Sequence, residues 1–241
     1  LSRLFTTAAF YARLIWIVFK ASRRAKRSRY GDEGWAMSSF EVFQALEKAG
    51  VEFEITGVEN YRRLEGPCVF IGNHMSILET FILPVIIEPY KDTTFVVKKS
   101  LIDYPVFRYV MRSREPVVVS RDDPREDLKT VFDEGGKILA SGRSIIVFPQ
   151  KTRTPEFNPE EFNTIGEKLA KKANVPVIPI ALKTDAWNNG SLFKDFGKIE
   201  PAKKVYFHFG EPTAVKIRGV EEHAEIIKFI QEHLAKWNKL R

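Results

Sequence analysis

From residue 51 onward, short β-branched runs alternate with longer stretches in which apolar positions recur every three or four residues. The runs predict strands over 51–56, 68–72, 93–97, 116–120, 144–148, 176–182 and 203–209. The longer stretches predict helices over 75–88, 101–112, 124–141 and 159–173, with a last amphipathic helix near 219–238. Strands separated by helices of this length imply an α/β fold, a mixed, mostly parallel sheet flanked by helices on both faces.

Upstream the pattern changes. Residues 4–19 are mostly apolar with one charge, Arg13, and a cationic cluster from Lys20 to Arg29 follows directly. As a helix those residues extend about 24 Å, short of the ~30 Å hydrocarbon layer, so the expectation is a helix lying in one leaflet. Residues 38–48 carry Phe40, Val42, Phe43 and Leu46 at helical spacing and end at Gly50, which predicts a helical hairpin with the first segment. The chain therefore divides into a membrane-associating segment, 1–50, and an α/β domain, 51–241. A helix docked on the core and followed by a solvated basic loop is the competing reading of the first segment.

Charge sharpens this picture. Of 38 basic residues, Arg3, Arg13, Lys20, Arg23, Arg24, Lys26, Arg27 and Arg29 fall in the first 30 positions, which hold no acid; the remainder is close to neutral against 31 acidic residues. A basic cluster beside an apolar helix fits an anionic membrane surface, and its sign places it at the cytoplasmic face. The neutral remainder argues against a nucleic-acid partner. A secretory signal is disfavoured because the charges mainly follow the apolar run and no small-residue cleavage site comes after it. Cys68 is the only cysteine and lies in an apolar run, so it is expected to be buried and without chemistry. No metal-ligand spacing is present, and no metal or cofactor is expected.

His74 and Glu79 are the candidate catalytic pair. On a helix, positions five apart lie about 140° from one another, so the two side chains meet only if His74 sits at the helix entry. Gly72 and Asn73 suit that turn, the first through its backbone freedom and the second as an N-cap. A carboxylate on one imidazole nitrogen leaves the other to accept a proton. Arg121 and, in the run Phe148-Pro149-Gln150-Lys151-Thr152-Arg153-Thr154, residues Gln150 to Arg153 also follow predicted strands, with Lys98 or Lys99 as a further point charge. Ligand crevices of open α/β sheets lie at strand carboxyl ends, so these groups share one expected address, and the cations there suit an anionic substrate. His208, His223 and His233 fall in a strand and the last helix and are read as structural.

In their order these blocks resemble the glycerolipid (lysophospholipid) acyltransferase family, whose blocks read N-H-x4-D, a strand ending in Arg, F-P-E-G-T-R-[ST], and V-P-[IV]-[IV]-P-[IV]. Asn73-His74 is similar to the first, Val119-Ser120-Arg121 to the second, Phe148-Pro149 with Thr152-Arg153-Thr154 to the third, and Val175 to Ile180 to the fourth. Lys98-Lys99-Ser100-Leu101 with Pro105 resembles the basic segment between the first two. The resemblance spans Val69 to Pro179. It implies transfer of a fatty acyl group from a thioester co-substrate, acyl-CoA or acyl carrier protein, to the hydroxyl of a lysophospholipid acceptor, foremost 1-acyl-sn-glycerol-3-phosphate, giving phosphatidic acid. On that resemblance His74 is the general base and Glu79 orients it. Arg121, Lys98 and Arg153 hold the acceptor phosphate, and Gln150 and Thr152 line the glycerol pocket or brace the loop. Three departures stand out: Glu79 replaces the motif Asp, Gln150 and Lys151 replace the Glu and Gly of the third block, and Glu115 and Val118 replace the Gly and Phe of the second. They leave open another lipid acceptor, such as an amino-acid lipid, or a noncatalytic lipid-binding homologue.

Overall fold

The computed structural model describes residues 3–190, 194–216 and 219–239. Its strands are β1 (Phe53–Thr56), β2 (Val69–Gly72), β3 (Thr93–Lys98), β4 (Val117–Val119), β5 (Ser144–Val147), β6 (Val177–Lys183) and β7 (Val205–Phe209). They form one sheet in the order β1-β7-β6-β2-β5-β3-β4. Every neighbouring pair is parallel except β6 with β7. The expected mixed, mostly parallel sheet is thus present.

The helices are α1 (Arg3–Lys26), α2 (Asp32–Lys48), α3 (Val58–Arg62), α4 (Leu78–Ile87), α5 (Lys99–Asp103), α6 (Phe107–Ser113), α7 (Pro124–Ala140), α8 (Ile165–Ala173) and α9 (Val220–Lys239). Alternation along the central strands explains the layering. Phe70, Ile146, Ile178 and Ile180 point to one face, where residues of α1, α2 and α4 cover them. Val69, Ile71, Ile145, Val147 and Val177 point to the other, beneath α7, α8 and α9. Because both faces are covered, β2, β5 and β6 are buried along their whole length, as parallel strands are. Gly166 lets α8 lie close on the sheet: a Cβ there would meet Ile71 Cδ1 at 2.7 Å.

Several boundaries differ from the sequence expectation. The helix expected over 101–112 is split into α5 and α6, because Pro105 holds Tyr104 in extended backbone. The one expected over 159–173 opens with a separate 3-10 turn at Pro159–Glu161 and becomes α-helical only at Ile165. The short α3 had no signal in the pattern.

α1 and α2 form the expected hairpin, and both pack into the same apolar cluster as the sheet. Phe10, Leu14, Ile17 and Ala21 form the docked face of α1. The helix continues through the cations to Lys26, so Arg23 and Arg24 are helical and sit favourably at its carboxyl end. Its opposite face keeps Phe5, Ile15, Trp16 and Phe19 exposed, Trp16 by 64%. Among the described residues no helix is long and apolar enough to cross a membrane.

Candidate active site

Parallel β2, β5, β3 and β4 deliver their carboxyl ends to a single rim of the sheet. His74 follows β2, the run from Phe148 to Thr154 follows β5, Lys98 ends β3, and Arg121 lies just past β4. The shared address expected from the sequence is therefore the topological one.

The turn leading to the candidate pair is built differently from the expectation. Gly72 is a strand residue paired with Ile180, and a Cβ there would lie 3.2 Å from the Ile180 carbonyl oxygen. Asn73 is not a helix cap. Its amide donates to Leu182 O and accepts from Leu182 N–H, each at 2.8 Å, so the side chain extends the β2–β6 ladder by one rung. α4 begins only at Leu78. Residues 74–77 thus precede the helix, and the five-residue separation is not a helical one, which is why the imidazole can fold back onto the first turn.

There His74 Nδ1 lies 2.9 Å from Glu79 Oε1. Glu79 is fully buried, and an ionised carboxylate in such a place must be supplied with donors or it costs several kcal/mol. Supply is ample. Oε1 also accepts the Met75 N–H at 2.7 Å and the Ser76 N–H at 2.9 Å. Oε2 accepts the Thr184 hydroxyl at 2.6 Å and has the Ser76 hydroxyl at 3.1 Å. Burial works to raise the pKa of Glu79, but its bonds to His74 and Thr184 outweigh that and hold it below the ordinary carboxylate value. The carboxylate accepts from Nδ1–H, which leaves Nε2 as the basic nitrogen.

The imidazole plane is fixed by packing. Phe148 stacks on it with ring centroids 4.4 Å apart and planes 6° from parallel. Gln150 Oε1 accepts the His74 N–H at 2.7 Å, while its Nε2 donates to Thr154 Oγ1 at 2.9 Å. Each end of that buried amide is therefore bonded to the protein. The Thr154 N–H donates to His74 O at 3.0 Å, a second tie between the two loops.

The candidate arginines have partners of their own. Arg121 adopts a left-handed backbone, φ 65°, held by Asp127, whose carboxylate accepts from the N–H groups of Ser120 and Arg121. Its guanidinium donates to the Lys151 carbonyl and so ties the second block to the third. Lys98 is exposed and pairs in register with Val119, two residues before Arg121. Arg153 is engaged elsewhere: its guanidinium forms an ion pair with Asp195 at 2.5 Å, and Thr152 Oγ1 accepts from Lys194 at 2.9 Å. Lys194 and Asp195, between β6 and β7, therefore bond two of the expected binding residues. No sequence signal linked them to the site, and the same holds for Thr184, 105 residues from Glu79.

Elsewhere, burial pushes the Cys68 thiol up to about 12, which fits an inert residue. The acidic group Asp32, Glu88 and Asp92 has the geometry for a cation, but Arg114 already bonds Asp32 and approaches Asp92 to 3.7 Å.

Over 155 residues, 64% of this chain and 58% of the relative, the sequence is 32% identical to the 1-acyl-sn-glycerol-3-phosphate acyltransferase of Pseudomonas aeruginosa. Over 129 residues, 54% of this chain and 36% of the relative, it is 30% identical to the chloroplastic 1-acyl-sn-glycerol-3-phosphate acyltransferase BAT2 of Brassica napus. The matched stretches thus span less than two thirds of either relative. The fold matches the crystal structure of the 1-acyl-sn-glycerophosphate acyltransferase PlsC from Thermotoga maritima with a TM-score of 0.66 at 22% identity, over 99% of this chain and 95% of that one. A family model described as Acyltransferase matches residues 52–183, more than half the chain and the whole run from β1 to β6, so this chain belongs to the acyltransferase family.

Proposed function

We propose that the chain is a membrane-associated O-acyltransferase that moves a fatty acyl group from a thioester, acyl-CoA or acyl carrier protein, to the free hydroxyl of 1-acyl-sn-glycerol-3-phosphate. The observation that carries the reading is the His74–Glu79 pair at the sheet rim, with Nδ1 bound to a buried carboxylate and Nε2 left as the base. In the reaction Nε2 takes the acceptor hydroxyl proton as that oxygen attacks the thioester carbonyl carbon. The tetrahedral intermediate then collapses, the carbon–sulfur bond breaks, and the departing thiolate takes the proton back from His74. Glu79 stabilises the imidazolium formed in between. Arg121 and Lys98 supply positive charge for the acceptor phosphate.

The exposed face of α1 gives such an enzyme a way to reach a lipid substrate. Trp16 and Phe19, beside Arg23, Arg24 and Arg27, line a shallow groove of about 440 Å³. An apolar body with a cationic rim is the surface that partitions to an anionic bilayer, here at its cytoplasmic face.

Arg153 favours a second reading for the acceptor. Its pairing with Asp195 engages one of the cations expected at the phosphate, which suits a lysolipid with another headgroup. One experiment addresses both. Purified protein is offered an acyl-CoA and a panel of lyso-acceptors, and released thiol is followed with a thiol reagent, which buried Cys68 does not consume. Release with lysophosphatidic acid, abolished by His74→Ala, is the expected result. Release with another lysolipid alone selects the second reading. Equal rates in wild type and His74→Ala would overturn the catalytic assignment, and no release with any acceptor would favour a noncatalytic lipid-binding homologue.

A further inference from the structure

We infer that Thr184 is a positioning residue of the reaction: its hydroxyl fixes the Glu79 carboxylate, and through it the His74 imidazole. The inference rests on the catalytic reading of that pair.

Among the described residues, every other donor to Glu79 comes from residues 74–76, immediately before its own helix. Those local bonds move with the turn. Thr184 comes from beyond the end of β6, in the middle of the sheet, and so ties the carboxylate to the framework. It is fully buried, and its Oγ1 lies 2.6 Å from Oε2, the shortest contact the carboxylate makes. An ionised carboxylate accepts only, so the single hydroxyl proton of Thr184 points to Glu79. Its lone pairs then face Ser76 Oγ at 3.0 Å, which also lies 3.0 Å from the Thr184 carbonyl oxygen.

The position of Thr184 is set in turn by Asn73. The paired bonds from Asn73 to Leu182 lock β6 two residues upstream of Thr184. The residue before the general base therefore holds the strand that leads directly into the residue behind its carboxylate. A longer acid in place of the motif Asp makes this tie more valuable, because Glu79 has one more torsion to hold.

The test uses the full chain and thiol release, with Thr184→Val, which keeps the shape and removes the hydroxyl. The expected result is a fall in kcat of about tenfold or more, the scale of a lost hydrogen bond to a charged group, with the acceptor KM unchanged. In a Glu79→Gln background the same substitution should cost less than about twofold, because the residue acts through the carboxylate. Equal losses in both backgrounds, or a loss confined to KM, would overturn the inference. Thr184→Ala and Thr184→Ser both lose the methyl, and only Ser keeps the hydroxyl; recovery in Ser alone is expected, and equal rates in the two would also overturn it. That pair keeps the test open if Thr184→Val is poorly folded. Full activity in Thr184→Val while His74→Ala is dead would refute this role alone, whereas activity in His74→Ala would refute the reading beneath it.

Discussion

Replacing Glu79 by Asp restores the residue of the family pattern, and the structure says it should nevertheless damage this protein. The substitution removes one methylene and draws the carboxylate back by about 1.5 Å. His74 Nδ1 now lies 2.9 Å from Oε1, so without movement that contact opens well past the ~3.2 Å reach of a hydrogen bond. The backbone cannot follow. Leu78, Ile82, Leu83 and Ile87 of α4 are all fully buried, and Ser39 Oγ donates to Phe81 O. The bond to Thr184, anchored from β6, is lost with the one to His74. Losing a charged hydrogen bond from the transition state costs about 2–3 kcal/mol, or roughly 30–150-fold in kcat. The buried carboxylate left short of donors costs a similar amount of stability, lowering Tm by about 5–10 °C in a chain this size. Thiol release gives the first quantity and thermal unfolding followed by circular dichroism the second. Glu79→Asp with kcat within threefold of wild type and an unchanged Tm would refute the claim that this turn is built for the longer acid.

Asp195→Asn should free Arg153 and lower the KM of a phosphate-bearing acceptor about three- to fivefold, the scale of a partly exposed ion pair, with kcat unchanged. An unaltered KM would make Arg153 a structural residue. Burial pushes the Glu88 carboxyl up to about 8, with Arg114 partly opposing it. Because that folded value lies above the ordinary one, its contribution to stability is complete below the ordinary carboxylate pKa and is lost as pH rises through about 8. Glu88→Gln should therefore be about 1–2 kcal/mol more stable relative to wild type at pH 9 than at pH 5, after allowance for partial solvation, and parallel urea curves at the two pH values would contradict this. Replacing exposed Trp16 and Phe19 together by Ser should reduce sedimentation with anionic vesicles at least tenfold while leaving Tm in place, since each ring contributes about 1.5 kcal/mol or more when buried in the interface. Unchanged binding would move the membrane contact off α1.

What the sequence made legible, and what it concealed, follows from where each contact lies along the chain. Strands β2, β5 and β6 stood out because burial on both faces makes them continuously apolar, and the rim position of His74, Arg121 and Gln150 followed once strands were assigned. The entry to α4 was misread because Asn73 looks like a helix cap. A cap acts on its own next residues, and nothing local shows that the amide instead completes a ladder with Leu182, 109 residues away. The split at Pro105 was visible in principle, since the residue before a proline leaves the helical region, yet the apolar spacing on either side remained in phase and masked it.

The departures from the family pattern behave in the same way. Read alone, Gln150 in place of a glutamate removes a charge from a binding loop. In the fold its amide bridges the His74 N–H and Thr154 Oγ1, one end as acceptor and the other as donor, and no carboxylate can do both while ionised. Glu79 likewise looks like a carboxylate displaced from its partner until Thr184 supplies the far anchor. The far anchor of Glu79 and the acceptor end of Gln150 are met by residues distant in sequence, while the donor end of Gln150 is met four residues on by Thr154. Motif letters register the change of residue, but the compensating contact is a property of the sheet that brings β2, β5 and β6 side by side. A variant at Gln150 or Glu79 should therefore be judged against those cross-strand partners before it is judged against the motif.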